Sequence, residues 1–225
     1  MKAVVTGGCS GLGEVFTREL LKRGYYVYAL FNKSLDSAYA MEQELDNLRC
    51  IKCDIKDEKN VDTVFFNIDD IDLIINNASI AIDNNYEDKS AKEFLKVLET
   101  NVVGTFNVIK YGNHKLTKDG VIINISSDNA IDNYNPISMD YDASKAGINM
   151  LTKDFSLCLE NKVVSICPGW IATPSVLNMN QDFLKEELKR NKQKELINPE
   201  KLVNKILDEY KDYESGSIKV IKEVK

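Results

Sequence analysis

The chain has little of what several common functions require. It holds one histidine, His114, among 225 residues. That residue lies just before a predicted strand, Val121–Ile125, whose far end leads into Ser126 and Ser127. Imidazole and hydroxyl therefore fall at opposite ends of the strand, which excludes a Ser-His-Asp hydrolase. Cysteine is scarce and odd in number: Cys9, Cys50, Cys53, Cys158 and Cys167 do not form a disulfide framework. Cys50 and Cys53 make a CxxC, but three residues apart on a strand they face opposite sides, so no metal site is expected. Basic residues are not in excess. With 29 lysines and arginines against 35 aspartates and glutamates, the net charge of −6 excludes nucleic acid or an anionic membrane as the main partner. The longest apolar run, Tyr25–Phe31, is far too short to cross a bilayer. The opening MKAVVTGGCSGLG has the make-up of neither a signal nor a transit peptide, so a reducing cytoplasm is the expected location. There are only four prolines, and no Pro-, Gly- or Ser-rich linker divides the chain. Residues 1–225 are expected to form one domain.

What the chain does have is an alternation of two hydrophobic periods. Ala3–Thr6, Tyr25–Phe31, Cys50–Asp54, Ile71–Ile75, Val121–Ile125 and Val163–Cys167 read as strands buried on both faces. Leu12–Arg23, Asp36–Leu48, Val61–Phe66, Ala91–Tyr111 and Tyr141–Leu159 read as helices. Ser90 is placed to cap the fourth, and Gly112 follows its end. This order predicts an α/β fold, a doubly wound, mostly parallel sheet with helices on both faces. After Thr173 the texture becomes charged, and residues 174–198 read as an insertion. Its stretch Gln181–Leu196 suits a solvated helix face, or a flap over a pocket. A helix from Pro199 to Tyr210 and a strand over Ser217–Ile221 close the pattern.

Four of the eleven glycines fall in Thr6-Gly7-Gly8-Cys9-Ser10-Gly11-Leu12-Gly13. The run joins the first strand to the first helix. Glycine there permits positive φ and close approach of a phosphate, and the helix N-terminus offers free N–H groups to it. This makes the fold Rossmann-type, with Gly7, Cys9, Ser10, Gly11, Leu12 and Gly13 around a dinucleotide. The second strand ends in Asn32-Lys33-Ser34 with no acid before Asp36. A carboxylate there would hold a free ribose, whereas a cation and hydroxyl suit a 2′-phosphate. NADP is therefore favoured over NAD.

Tyr141 and Lys145 lie four apart at the head of a predicted helix, so they share one face. A phenol near its ordinary pKa of about 10 is a poor proton carrier at neutral pH, and a neighbouring ammonium favours its ionised form. Thr6–Gly13 matches a TGxxxGxG loop, Asn76-Asn77-Ala78-Ser79 an NNAG segment, and Tyr141–Lys145 a YxxxK motif. Ile125-Ser126-Ser127 and Cys167-Pro168-Gly169-Trp170-Ile171-Ala172-Thr173 complete the set. Together, from Lys2 to about Pro174, these resemble the short-chain dehydrogenase/reductase family in its compact single-domain subgroup.

The resemblance implies a role for each matched residue. Tyr141 is the general acid or base, Lys145 binds the nicotinamide ribose and lowers the phenol's pKa, and Ser127 polarises the substrate oxygen. Asn101 anchors a water of the proton relay. Asp54, with Ile55 beside it, contacts adenine, while Asn77 and Ala78 line the cofactor groove. Pro168, Gly169, Ile171 and Thr173 shape the nicotinamide side. The sequence departs from the family pattern in three places. One extra residue separates Ser127 from Tyr141, which leaves Ser126 as an alternative. Ser79 replaces a glycine, and the tail lacks a VDGG-type ending. Trp170 either walls the pocket or fills a turn, and Tyr134 is a candidate substrate contact.

The expected activity is hydride transfer between a nicotinamide cofactor and a small carbonyl or alcohol. NADPH-dependent reduction of a 3-oxoacyl thioester is the leading substrate reading, with a sugar, polyol or other carbonyl beside it. A nucleotide-sugar epimerase or dehydratase, or a non-catalytic NADP-binding redox sensor, are the alternatives. A homodimer or homotetramer is expected through Ala91–Tyr111 and Tyr141–Leu159.

Overall fold

Seven short apolar runs pair side by side in the computed structural model, which describes residues 1–224. The strands are β1 (Lys2–Thr6), β2 (Tyr26–Phe31), β3 (Leu48–Lys52), β4 (Ile71–Asn76), β5 (Leu116–Ile125), β6 (Lys162–Pro168) and β7 (Ile218–Ile221). Their order in the sheet is β3-β2-β1-β4-β5-β6-β7, and every pairing is parallel. From β1 the chain winds outward through β2 to β3, then crosses back to β4 on the other side of β1. Loops leaving β1 and β4 diverge there and open a crevice at the carboxyl ends of the strands.

Among the described residues there are nine α-helices: α1 (Gly11–Lys22), α2 (Leu35–Glu44), α3 (Glu58–Phe66), α4 (Ala91–Leu98), α5 (Gly104–Gly112), α6 (Met139–Cys158), α7 (Pro174–Leu177), α8 (Gln181–Arg190) and α9 (Pro199–Glu209). Successive strand residues go to opposite sides, as the period of two requires. Val5, Ile75 and Ile123 join Phe16 of α1 and Val203 and Ile206 of α9 in one core. Val4, Ile74 and Ile122 join Phe65 of α3 and Val108 and Ile109 of α5 in the other. Cys50 and Cys53 part in the same way: Cys50 packs beside Cys9 and Ala29, and Cys53 beside Leu30 and Val61.

The structure differs from the sequence expectation at several boundaries. α2 stops at Glu44 rather than Leu48, because Asn47 turns the chain at φ 59° and Leu48 already belongs to β3. Ala91–Tyr111 is not one α-helix. Ser90 and Glu93 form a capping box at its start, as the serine suggested. Residues Glu99–Val103 then widen into a π-helical turn that holds Asn101. Past that turn, a Cβ on Gly104 would meet the Ile55 side chain at 2.6 Å, so glycine lets α5 lie against the end of β3. Gln181–Leu196 is not simply solvated. α8 buries Leu184 and Glu187, and the segment after it buries Asn191 and Gln193.

Candidate active site

The crevice at the switch point is a cleft of about 1000 Å³. Its floor comes from the β1–α1 loop, where the glycines do different work. Gly7 (φ 65°) and Gly11 (φ 54°) take left-handed backbone. A Cβ on Gly13 would stand 2.1 Å from the Gly7 carbonyl oxygen, so this glycine closes the turn. A Cβ on Gly11 would meet nothing within 4 Å. The bare face of Gly11 is a cradle open to the cleft. Ser10 precedes α1 in extended conformation and makes no side-chain cap, which leaves the first N–H groups of that helix free for an anion. Gly7, Ser10, Gly11 and Leu12 line the cleft, whereas Gly13 packs beneath the loop. The Cys9 side chain is a correction to the expected set. It is buried, with its Sγ 3.5 Å from that of Cys50 and turned toward the Ala29 carbonyl. Burial pushes its thiol well above the ordinary value.

One wall continues through the ends of β2 and β3. Asn32 and Lys33 are exposed on the lining, with Ser34 beside them, and no carboxylate intervenes. Asp54 and Ile55 follow; Asp54 accepts from the Lys56 ammonium at 3.0 Å. The end of β4 supplies Asn77 and Ala78, whose backbone N–H groups both donate to Thr6 Oγ1 at 3.0 Å. The Asn77 amide also donates to the Thr6 carbonyl at 3.0 Å, tying the two strands at the point where they diverge. A ladder of buried amides stiffens the layer below. Asn76 donates to Asn124 at 2.8 Å, and Asn124 to Thr152 of α6 at 2.9 Å.

At the other end Ser127, Tyr141 and Lys145 converge on the same cleft. Two short 3₁₀ turns, Asp128–Ala130 and Pro136–Ser138, lie between serine and tyrosine. Ser126 is spent elsewhere, since its hydroxyl donates to the Lys145 carbonyl at 2.9 Å. Lys145 Nζ donates to the Ile125 carbonyl at 2.8 Å and lies 5.3 Å from the Tyr141 ring centre. Burial lowers its ammonium to about 8. The packed environment does not depress the phenol. Burial pushes Tyr141 above its ordinary range, Ser127 as a hydrogen-bond partner opposes this, and Asp142, Asp128 and Asp83 add to it. Desolvation is thus the largest influence on the phenol.

Asn101 does not line the cleft. Its Oδ1 accepts from the Ile80 N–H at 2.8 Å, and its Nδ2 donates to the Ile80 carbonyl and to Ser144 Oγ, both at 2.9 Å. This amide fastens the loop after β4 to the tyrosine helix. A second fastening was not legible in the sequence. Lys89 and Asp140 form a fully buried ion pair at 2.9 Å, and Asp140 also accepts from the Tyr141 N–H at 2.9 Å. Nothing in the local pattern marks these two among the many surface charges.

Pro168, Gly169, Trp170, Ile171 and Thr173 form the opposite wall, so Trp170 is a pocket residue. Gln193 holds this wall: its amide accepts from the Trp170 N–H at 2.8 Å and donates to the Trp170 carbonyl at 2.7 Å. A Cβ on Gly169 would strike that amide at 2.4 Å. Ser175, Val176 and Met179 extend the wall over the cleft, whereas Tyr134 points to solvent, 76% exposed. His114 sits in the turn before β5, at the opposite edge of the sheet from Ser127.

Comparisons with known proteins agree with this arrangement. The family model for short chain dehydrogenases matches residues 1–183. A 3beta-hydroxysteroid dehydrogenase 1 of Eggerthella lenta is 32% identical over 185 residues, covering 76% of this chain and 70% of that protein. An acetoacetyl-CoA reductase of Paracoccus denitrificans is 30% identical over 195 residues, covering 82% and 79% respectively. Among solved structures, the angucycline C-6 ketoreductase LanV with bound NADP superposes with a TM-score of 0.86 at 19% identity, over 97% of this chain and 93% of that one. With the doubly wound sheet and the Ser-Tyr-Lys convergence already in place, the match across four fifths of the length makes this chain a member of the short-chain dehydrogenase/reductase family of oxidoreductases.

Proposed function

We propose that the protein is an NADPH-dependent reductase that converts a small carbonyl compound to an alcohol. The observation that carries this reading is the convergence of Ser127, Tyr141 and Lys145 on the cleft that also contains the open glycine cradle and an uncapped helix N-terminus. The cradle and the free N–H groups fit a pyrophosphate. Asn77, Ala78, Asp54 and Ile55 would flank the adenosine half, and Asn32, Lys33 and Ser34 a 2′-phosphate. Pro168, Gly169, Ile171 and Thr173 would hold the carboxamide side. When bound, the nicotinamide supplies or accepts the hydride.

The chain's own part is to orient the carbonyl and manage one proton. Ser127 Oγ donates to the substrate oxygen and stabilises the charge that develops there. Tyr141 gives its phenolic proton to the same oxygen. The phenol is protonated at neutral pH and so is in the form that reduction requires. Lys145 is positioned to bind ribose hydroxyls, and Asn101 is a positioning residue that holds Ile80 and Ser144 against the reacting groups. In Tyr141→Phe, carbonyl reduction should fall by about 10²–10⁴-fold while NADPH still binds by fluorescence titration. Unchanged turnover would remove the tyrosine from this role.

The name of the Paracoccus relative lends support to an oxoacyl thioester as substrate, and that of the Eggerthella relative to a hydroxylated ring compound. A dimer or tetramer through α4–α5 and α6 draws support from exposed Leu95, Val103 and Phe106 on one side and Met150 and Leu157 on the other. Among the described residues no helix is long and apolar enough to cross a membrane. Five free thiols suit the reducing cytoplasm as location.

A further inference from the structure

The cleft is lined by charges of both signs: Lys145 stands beside Tyr141, committed to the Ile125 carbonyl, and Asp54 beside Lys56, but the turns around Ser127 bring only carboxylates. Lys33 comes from the loop after β2, Lys56 from the loop after β3, and Lys96 from α4. The turns that carry Ser127 and lead into Tyr141 bring no lysine or arginine to the lining; they bring Asp128, Asn129, Asn135 and Ser138, and the loop after β4 adds Asp83. Asp128 is next to Ser127 in the chain, is 2% exposed, and lies close under Gly169 on the facing wall, 3.5 Å from where a Cβ would stand. One of its oxygens accepts from Asn133, with Lys222 at 3.9 Å, and the other lies 3.5 Å from Ser127 Oγ. Asp83 is exposed and accepts from Ser138 Oγ at 2.7 Å. Asp142, behind the lining, accepts from the Asn129 amide at 2.6 Å and from the Asn135 N–H at 2.7 Å, fixing how those two residues face. All three carboxylates are felt at the reacting phenol, whose proton they help to retain.

We infer that the substrate is a small neutral carbonyl compound bearing hydroxyl groups near the ketone or aldehyde, and that Asp128, assisted by Asp83, turns away carbonyl compounds bearing carboxylate or phosphate there. This rests on the carbonyl-reductase reading and specifies its substrate class. Two physical arguments support it. Carboxylates are acceptor-only groups, so a ligand beside them is favoured if it brings O–H donors and disfavoured if it brings another anion. Asp83 is exposed at the lining and has only one oxygen taken up by Ser138, so the other can accept such a donor. Trp170, Ile171, Val176 and Met179 on the opposite wall supply the apolar side for the carbon skeleton.

The test uses three ketones with NADPH: 4-hydroxybutan-2-one, acetoacetate and acetoacetyl-CoA. The first two share a four-carbon skeleton and differ in whether the terminal group is a hydroxyl or a carboxylate. The expected result is a kcat/KM for the hydroxyketone at least about tenfold above that for acetoacetate, with acetoacetyl-CoA also below it. Asp128→Asn should narrow the first ratio severalfold by raising the figure for acetoacetate. Asp83→Asn, at an exposed position where the amide oxygen can still accept from Ser138, should narrow it in the same direction. Equal or faster turnover of acetoacetate or acetoacetyl-CoA, or a ratio unmoved in both variants, overturns the inference while leaving the reductase reading intact. If none of the three is reduced, both fall.

Discussion

Lys145, which is buried, and Tyr141, which is half-buried at the cleft, respond in opposite directions to desolvation. The lysine is an ammonium with one carbonyl partner and little water, so its proton is loosened, while the phenol holds its proton more tightly. For Lys145 the consequence for stability has a definite sign. Between about pH 8 and 10.5 the unfolded chain keeps a proton that the folded chain has released. Stability therefore rises with pH across that window. Below pH 8 both states are charged and the folded one carries the full penalty, about 3 kcal/mol. Lys145→Met should accordingly be more stable than the parent near pH 7, with the advantage shrinking toward pH 10. Urea midpoints of both proteins at pH 7, 8, 9 and 10 give the answer, and a pH-independent difference would contradict the burial argument.

At the scale of elements, catalytic geometry depends on how the loop after β4 is fastened to α6. Three contacts do this: Asn101 to Ile80 and Ser144, Ser138 to Asp83, and the buried Lys89–Asp140 pair. The π-helical turn Glu99–Val103 serves the first, since the extra residue in that turn changes the face that Asn101 presents. The ion pair serves the last and can be tested alone. Lys89→Met leaves the Asp140 carboxylate buried without its cation and should cost about 3–5 kcal/mol. Lys89→Met with Asp140→Leu should recover most of that, because the stranded charge is gone. Denaturant titration of the two variants decides it. A single variant within about 1 kcal/mol of the parent would show that the pair is not a structural clip.

For the whole molecule, the consequence of the fold is that one cleft serves cofactor and substrate, so ligand affinity and global stability are linked. NADPH at a hundredfold its dissociation constant adds about 2.7 kcal/mol, which moves the thermal midpoint of a chain this size by roughly 5–11 °C. With Lys33 and Ser34 in place of an acid at the end of β2, NADPH should shift the midpoint further than NADH at equal concentration. A larger shift with NADH would remove Lys33 as a phosphate contact. The substrate selection proposed above belongs to Asp128 and Asp83 at the Ser127–Tyr141 end of this cleft.

The sequence by itself determined the alternation of strand and helix, the place of the glycine loop, and the four-residue spacing of Tyr141 and Lys145. These are local periodicities and backbone requirements, readable wherever a pattern of 2 or 3.6 residues persists. The sequence also placed Ser127 at the end of β5 and His114 at the opposite edge. Only the tertiary structure decided which serine serves the tyrosine, because the Ser126 hydroxyl is taken up by the Lys145 carbonyl and Ser127 is left as the partner of the phenol. It removed the Cys9 side chain from the cleft, since the turn at Gly7 and Gly11 rotates that thiol toward Cys50. It found Gln193 behind Trp170 and Lys89 against Asp140, contacts between residues 23 and 51 positions apart. It also reversed the expected effect on the phenol, because desolvation is a property of the packed interior and no spacing of residues along the chain reports it.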